Sequence, residues 1–110
     1  MTQMQPIAGE SRLLIGGKLV PARSGKTYPN IAPATGQAIG VAADAGMEDA
    51  QAAVAAARQA FDESGWATDR ALRKRCLAQL RDGLRAEAAA LCEQASAETG
   101  APMAITRGGP

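Results

Sequence analysis

Cys76 and Cys92 are the two thiols of this chain, and histidine is absent from it. A thiolate nucleophile needs an electropositive, partly exposed setting, commonly a helix N-terminus or a histidine partner. Both cysteines fall inside helical patterns, so they read as core residues of apolar stripes. Without histidine, Ser-His-Asp and Cys-His nucleophilic schemes fall away, along with most zinc sites. A second candidate is Val20-Pro-Ala-Arg-Ser-Gly-Lys-Thr27, which approaches the phosphate-loop pattern Gly-x-x-x-x-Gly-Lys-Thr. Val20 replaces the first glycine of the backbone cradle, and Pro29 enforces extended chain where a helix N-terminus should face the phosphate. An ordinary turn before a strand is the better reading. A third candidate is the basic strip of Arg70, Lys74, Arg81 and Arg85 on one helix face. No aromatics or recognisable binding module accompany it, so it reads as solvated surface and not as a nucleic-acid interface.

The elements that hold these residues follow from punctuation and periodicity. Residues 1–11 have mixed polarity and no period, and are expected to form a loose N-terminal arm. From Arg12 to Val20, apolar residues flank Gly16-Gly17, a two-residue connection suited to a type I′ or II′ hairpin. Strands are expected over Thr27–Ile31 and Ala38–Ala43. Between them Pro33 makes Ala32 extended and Gly36 supplies a position for positive φ, so Asn30 to Gly36 reads as strand, tight turn, strand.

Three helical segments follow. Met47, Ala50, Val54, Ala57 and Phe61 make a narrow stripe at 3.6-residue spacing, so the first helix is expected over about Met47–Ser64. Gly46 is its N-cap, and Glu48 and Asp49 complement the helix dipole. Gly65 closes it, leaving Trp66 to anchor the next turn. Thr68 and Asp69 are N-caps for a second helix reaching about Arg85, whose apolar face is Leu72, Cys76, Leu80 and Leu84. A third helix is expected from about Ala86 to Thr99, with Gly100 as its C′ residue and Pro102 as a stop.

Composition sets the limits on packing. Hydrophobic residues are 46% of the 110, but 26 of them are alanine, and Leu, Ile, Val and Phe together number 17. Alanine favours helix and contributes little apolar area. At a net charge of +1 no self-repulsion keeps the chain open, and no global field attracts nucleic acid or an anionic membrane. The expectation is a helix-rich piece with a thin core that completes its packing against something else. No stretch approaches the ~20 apolar residues of a membrane span, Met1 to Glu10 lacks an apolar signal sequence, and the cysteine placement suits a reducing cytosol, so a cytoplasmic protein is expected.

Taken together, the pieces carry a family signature. Leu14-Ile-Gly-Gly-Lys18, Ser24-Gly-Lys-Thr27, Ile31-Ala-Pro-Ala-Thr-Gly36, Ile39-Gly-Val41, a helix opened by Glu48-Asp49 and closed by Ala60-Phe61, Trp66, an Arg-Leu-rich helix and Glu98-Thr-Gly100 succeed one another. This order resembles the N-terminal portion of the NAD(P)-dependent aldehyde dehydrogenase superfamily, over about Leu13 to Pro102. Ala32 departs from the Asn more often found before the Pro-Ala-Thr-Gly turn, which weakens a local turn hydrogen bond and leaves the resemblance standing.

The resemblance implies an α/β fold: residues 12–110 as the N-terminal part of a Rossmann-like coenzyme-binding domain, short strands and a hairpin followed by two to three helices, incomplete as it stands. It implies a parent enzyme that oxidises an aldehyde to a carboxylic acid with NAD or NADP, through a cysteine thiolate and a water-activating glutamate. The family's Gly-Gln-x-Cys and Glu-Leu-Gly-Gly motifs do not occur here, so no catalytic and no coenzyme-binding residue is expected in this segment. The segment is expected to be inactive alone and to pair with the remainder of the same polypeptide, in a homo-oligomer. The resemblance also implies a structural Na or K site using main-chain oxygens of Asn30 and Ile31 and the carboxylate of Glu98, which stands where many members have Asp. The alternative is that Glu98 faces solvent near a helix end. Two other readings compete for the whole chain: a small helical interaction module whose alanine stripes dock a partner, and a thiol-based redox regulator resting on Cys76 and Cys92.

Overall fold

Residues 9–108 are described by the structure, a computed structural model; most of the expected N-terminal arm lies outside that range. Two separate antiparallel pairs come first. In the first, β1 (Leu13–Ile15) pairs with β2 (Lys18–Val20) in the register Leu13↔Val20, Leu14↔Leu19, Ile15↔Lys18. Gly16 and Gly17 both take positive φ, 59° and 77°, as the type I′ turn requires.

In the second pair, β3 (Thr27–Ile31) runs against β4 (Ala38–Ala43) from Thr27↔Ala43 to Ile31↔Ala38. The register slips between Asn30 and Ile31, a bulge at the last rung before the turn. The Ala32 amide donates to Gln37 O at 2.9 Å and the Gly36 amide to Ala32 O at 2.8 Å, with Gly36 at φ 70°. The strand–turn–strand expectation for Asn30 to Gly36 holds. Thr27, the final residue of the near phosphate-loop string, opens β3 rather than a helix, and Gly25 closes a turn on Ala22 O at 2.8 Å.

The helices follow in order. α1 spans Met47–Glu63, a 3-10 turn Gly65–Ala67, α2 Arg70–Ala86, α3 Ala88–Thr99 and α4 Met103–Arg107. Asp69 caps α2, its Oδ1 accepting from the Leu72 amide at 2.9 Å. Arg73 closes the preceding turn by donating to the carbonyls of Trp66 (2.6 Å) and Ala67 (3.1 Å). Gly100 ends α3 at φ 74° with its amide on Ser96 O at 2.9 Å. α4 was not expected. Pro102 stops α3 and also begins α4: at a helix start its missing N–H has no partner to lose, and its φ of −59° suits the first turn.

Packing corrects one expectation outright. The stripes assigned to a core are open: Val54 is 69% exposed, Phe61 47%, Leu80 58% and Leu84 51%. Trp66, expected as an anchor, is also exposed. The buried apolar residues among those described are Ala22, Ala32 and Ala97. The molecule is a slab of 53 × 37 × 19 Å with a radius of gyration of 17.3 Å, against about 13 Å for a compact domain of this size. Periodicity marks the faces that want burial, and among the described residues nothing covers them. That agrees with the thin core read from the alanine content.

Candidate functional site

The predicted site residues gather where the end of β3 meets the end of α3. Bending at the bulge leaves Asn30 half-buried with its side chain toward α3, and Asn30 Nδ2 donates to Glu98 Oε1 at 2.9 Å. Glu98 is exposed and accepts a second bond at the same oxygen from Gln94 Nε2, at 3.0 Å. Gln94 and Glu98 are four apart on α3 and share a face, a spacing legible in the sequence. These three side chains, with Glu10 and the Gly40 backbone, line a small cleft of ≈ 80 Å³. Glu10 is tied to Arg12 by bonds of 3.0 Å from the amide, 2.8 Å from Nε and 3.1 Å from the guanidinium NH2. The Arg12 side chain holds the Glu10 carboxyl below the usual carboxylate range.

The junction continues on the turn. A Cβ placed on Gly100 would stand 3.2 Å from Pro33 Cγ. Glycine is therefore needed twice over, for its positive φ and for the close approach of α3 to Pro33.

Carbonyl and carboxylate oxygens are the right class of donor for a hard monovalent cation. Glu98 Oε1 takes the amide hydrogens of both Asn30 and Gln94. Ile31 is on the far side of the bulge, 46% exposed.

Cys76 and Cys92 lie on separate helices, both free and half-buried. The Cys92 thiol donates to Thr106 O at 3.2 Å, and Ser96 and Thr106 hydroxyls meet at 3.0 Å, so this thiol fastens α4 onto α3. Half-burial replaces the full burial expected of both cysteines. Neither sits at a helix N-terminus or beside a base. Of the basic strip, Arg81 pairs with its neighbour Asp82 at 2.8 Å, and both are open to solvent.

One structural carboxylate is more important than its sequence reading suggests. Asp49 is 7% exposed and accepts from the Gly46 amide at 2.9 Å and from the Arg23 amide at 3.0 Å. It caps α1 and ties that helix to the link before β3, beyond complementing the dipole. The N3 acidic residue three after a glycine N-cap was the available signal; the partner at Arg23 was not foreseeable from spacing.

Comparison with known proteins places this geometry. The aldehyde dehydrogenase family model matches residues 19–109. Benzaldehyde dehydrogenase, mitochondrial, of Antirrhinum majus is 51% identical over 55 residues, 50% of this chain and 10% of that protein. The crystal structure of NAD-dependent aldehyde dehydrogenase from Sinorhizobium meliloti superposes with a TM-score of 0.85 at 35% identity, over 93% of this chain and 21% of that one. PnpE in complex with nicotinamide adenine dinucleotide gives 0.83 at 35% identity, over 91% and 20%. The chain thus spans about a fifth of the length of these solved relatives. Four short strands, the Pro-Ala-Thr-Gly turn and the helices that dock on it are those of the N-terminal part of such a domain, and the chain belongs to the aldehyde dehydrogenase family.

Proposed function

We propose that this chain is the N-terminal segment of an NAD(P)-dependent aldehyde dehydrogenase and supplies scaffold, not chemistry, to the complete enzyme. The observation that carries the reading is the superposition of nearly the whole fold, strands and helices in order, on an NAD-dependent aldehyde dehydrogenase at 35% identity. The parent reaction converts an aldehyde, water and NAD(P)+ into a carboxylic acid, NAD(P)H and a proton. Bound coenzyme would take the hydride; the one phosphate-loop-like string of this segment folds as a turn into β3.

What this chain does is position. Asp49 fixes the start of α1, and the Asn30–Glu98 and Pro33–Gly100 contacts fix the end of α3. The remaining polypeptide covers the open leucine face of α2. The complete enzyme works as a homo-oligomer in the cytoplasm, where the free thiols of Cys76 and Cys92 stay reduced.

Coenzyme reduction by the full-length polypeptide tests this, with a panel of aromatic and aliphatic aldehydes and either NAD+ or NADP+. Turnover is expected from the full-length protein and none from the 110 residues alone. A folded full-length protein that reduces neither coenzyme with any aldehyde overturns the reading. The exposed leucines of α2 favour one competitor, a free-standing interaction module. Strong helix protection from hydrogen exchange in the isolated chain would support that module instead.

A further inference from the structure

Leu72 and Cys76 of α2 are half-buried, whereas Leu77, Leu80 and Leu84 are each more than half exposed. With Arg81, Arg85 and Ala88 these three leucines line one open groove. The basic strip is therefore not a separate side of the helix. Lys74 and Arg81 stand three residues before and four after Leu77, so the strip borders the leucine row. Leu77 to Leu84 covers about 10 Å of helix axis, two turns, over which a second helix can seat its side chains between those of the first.

Charge narrows the occupant. α2 carries six basic side chains against one acidic, Asp82, which Arg81 already holds at 2.8 Å. Lys74 and Arg85 make no ion pair among the described residues. The carboxylates of α1 are engaged elsewhere: Glu48 with Arg23, Asp62 with Arg58, and Asp49 under the Gly46 and Arg23 amides. A surface apolar along one row and cationic along the next is complementary to a helix whose apolar stripe is edged by Asp or Glu. This chain spans about a fifth of the length of its solved relatives, so on the proposed function the polypeptide that supplies such a helix lies outside it.

We infer that the leucine row and basic edge of α2 form a single docking face for an acidic amphipathic helix of the remaining polypeptide. The leucines bury its apolar stripe, and Lys74, Arg81 and Arg85 fix its register by meeting its carboxylates.

The inference rests on the proposed function in taking the longer protein as the folded unit, and its test uses that full-length polypeptide. Carbodiimide joins an ammonium to a carboxylate in direct contact, and Lys74 is the one lysine of α2. Peptide mapping of the wild type is expected to show Lys74 coupled to an Asp or Glu outside residues 1–110, within the same molecule. Lys74→Glu is expected to lower the denaturation midpoint, and less so at high salt. Arg75→Glu, next in sequence but on the side away from the leucines, is expected to stay close to wild type. Equal effects of the two variants, or no coupling of Lys74 beyond this segment, overturn the docking face. Coupling of Lys74 between differently labelled copies, or sedimentation of the wild type with phosphatidylserine vesicles, overturns it in favour of a second copy or a lipid surface. The wild-type map stands even if a variant fails to fold. Aldehyde turnover of the same sample is read separately, so an inactive protein counts against the dehydrogenase reading and leaves the map intact.

Discussion

Asn30 Nδ2 lies 2.9 Å from Glu98 Oε1 and joins residues 68 apart in the chain. Two residues further on, Gly100 meets Pro33 of the turn that Asn30 introduces. One polar and one apolar contact thus close the strand half of the molecule onto its last long helix. Both partners of each contact come from segments carrying the family signature, Ile31-Ala-Pro-Ala-Thr-Gly36 with its preceding strand and Glu98-Thr-Gly100.

Gly100→Ala is expected to destabilise the full-length protein by about 1–2 kcal/mol, from left-handed backbone strain plus the tight approach to Pro33. Gly36 has a similar φ, 70°, with open space around its Cα. Gly36→Ala should therefore cost about 1 kcal/mol, the strain alone. Denaturant midpoints of the two variants give the Pro33 contribution as their difference. Equal losses would show that the contact adds nothing.

Asp49→Ala strips the acceptor from two backbone amides, Gly46 and Arg23. A loss of about 2 kcal/mol is expected, within the range for leaving part-buried donors unsatisfied. Glu48→Ala serves as the control, because its ion pair with Arg23, at 3.3 Å, is exposed on both sides. That variant should lie within about 0.5 kcal/mol of wild type. Chemical denaturation of both in parallel checks the contrast.

The Arg58–Asp62 pair on α1 predicts a small acid sensitivity. Hydrogen bonding from the Arg58 guanidinium lowers the Asp62 pKa from 3.8. A depressed carboxylate contributes stability above its unfolded value and loses it as pH falls through the folded one. The contribution should be intact at neutral pH and disappear below the ordinary aspartate range. It should also shrink with added salt, the group being fully exposed. Far-UV circular dichroism of wild type and Asp62→Asn across acid pH reads it out; parallel curves would refute it.

Leu80→Asp separates the isolated chain from the complete protein. In the 110 residues the position is already 58% exposed, so helix content should not change. In the full-length polypeptide, which on the proposed reading covers the α2 face, the same substitution should cost about 3 kcal/mol or prevent folding. A full-length protein indifferent to Leu80→Asp would leave that face free in the mature fold.

The joint variant Cys76→Ala, Cys92→Ala should keep the full-length enzyme's aldehyde turnover, since neither thiol has a base or a helix N-terminus beside it. Some stability should be lost through the Cys92–Thr106 bond. Steady-state kinetics decide; loss of kcat with unchanged folding would reinstate a thiol role.

Local sequence determined every long element here. Gly16-Gly17 dictates a tight hairpin because only glycine takes two successive positive φ angles without penalty, Pro33 and Gly36 shape the next turn, and Gly100 stops α3. The helical stripes were legible for the same reason: periodicity is a property of neighbouring residues. Even α4 had its signal, in a proline that can open a helix as readily as it ends one.

What the tertiary structure decided is which groups meet. Nothing in spacing says that Asp49 reaches the Arg23 amide, or that Asn30 and Gln94 converge on one Glu98 oxygen. Such contacts depend on how separate elements are set against each other, and local chain geometry carries no record of that. The open leucines of α2 make the same point from the other side. A stripe states that burial is wanted, and only a packed partner surface determines whether it is obtained.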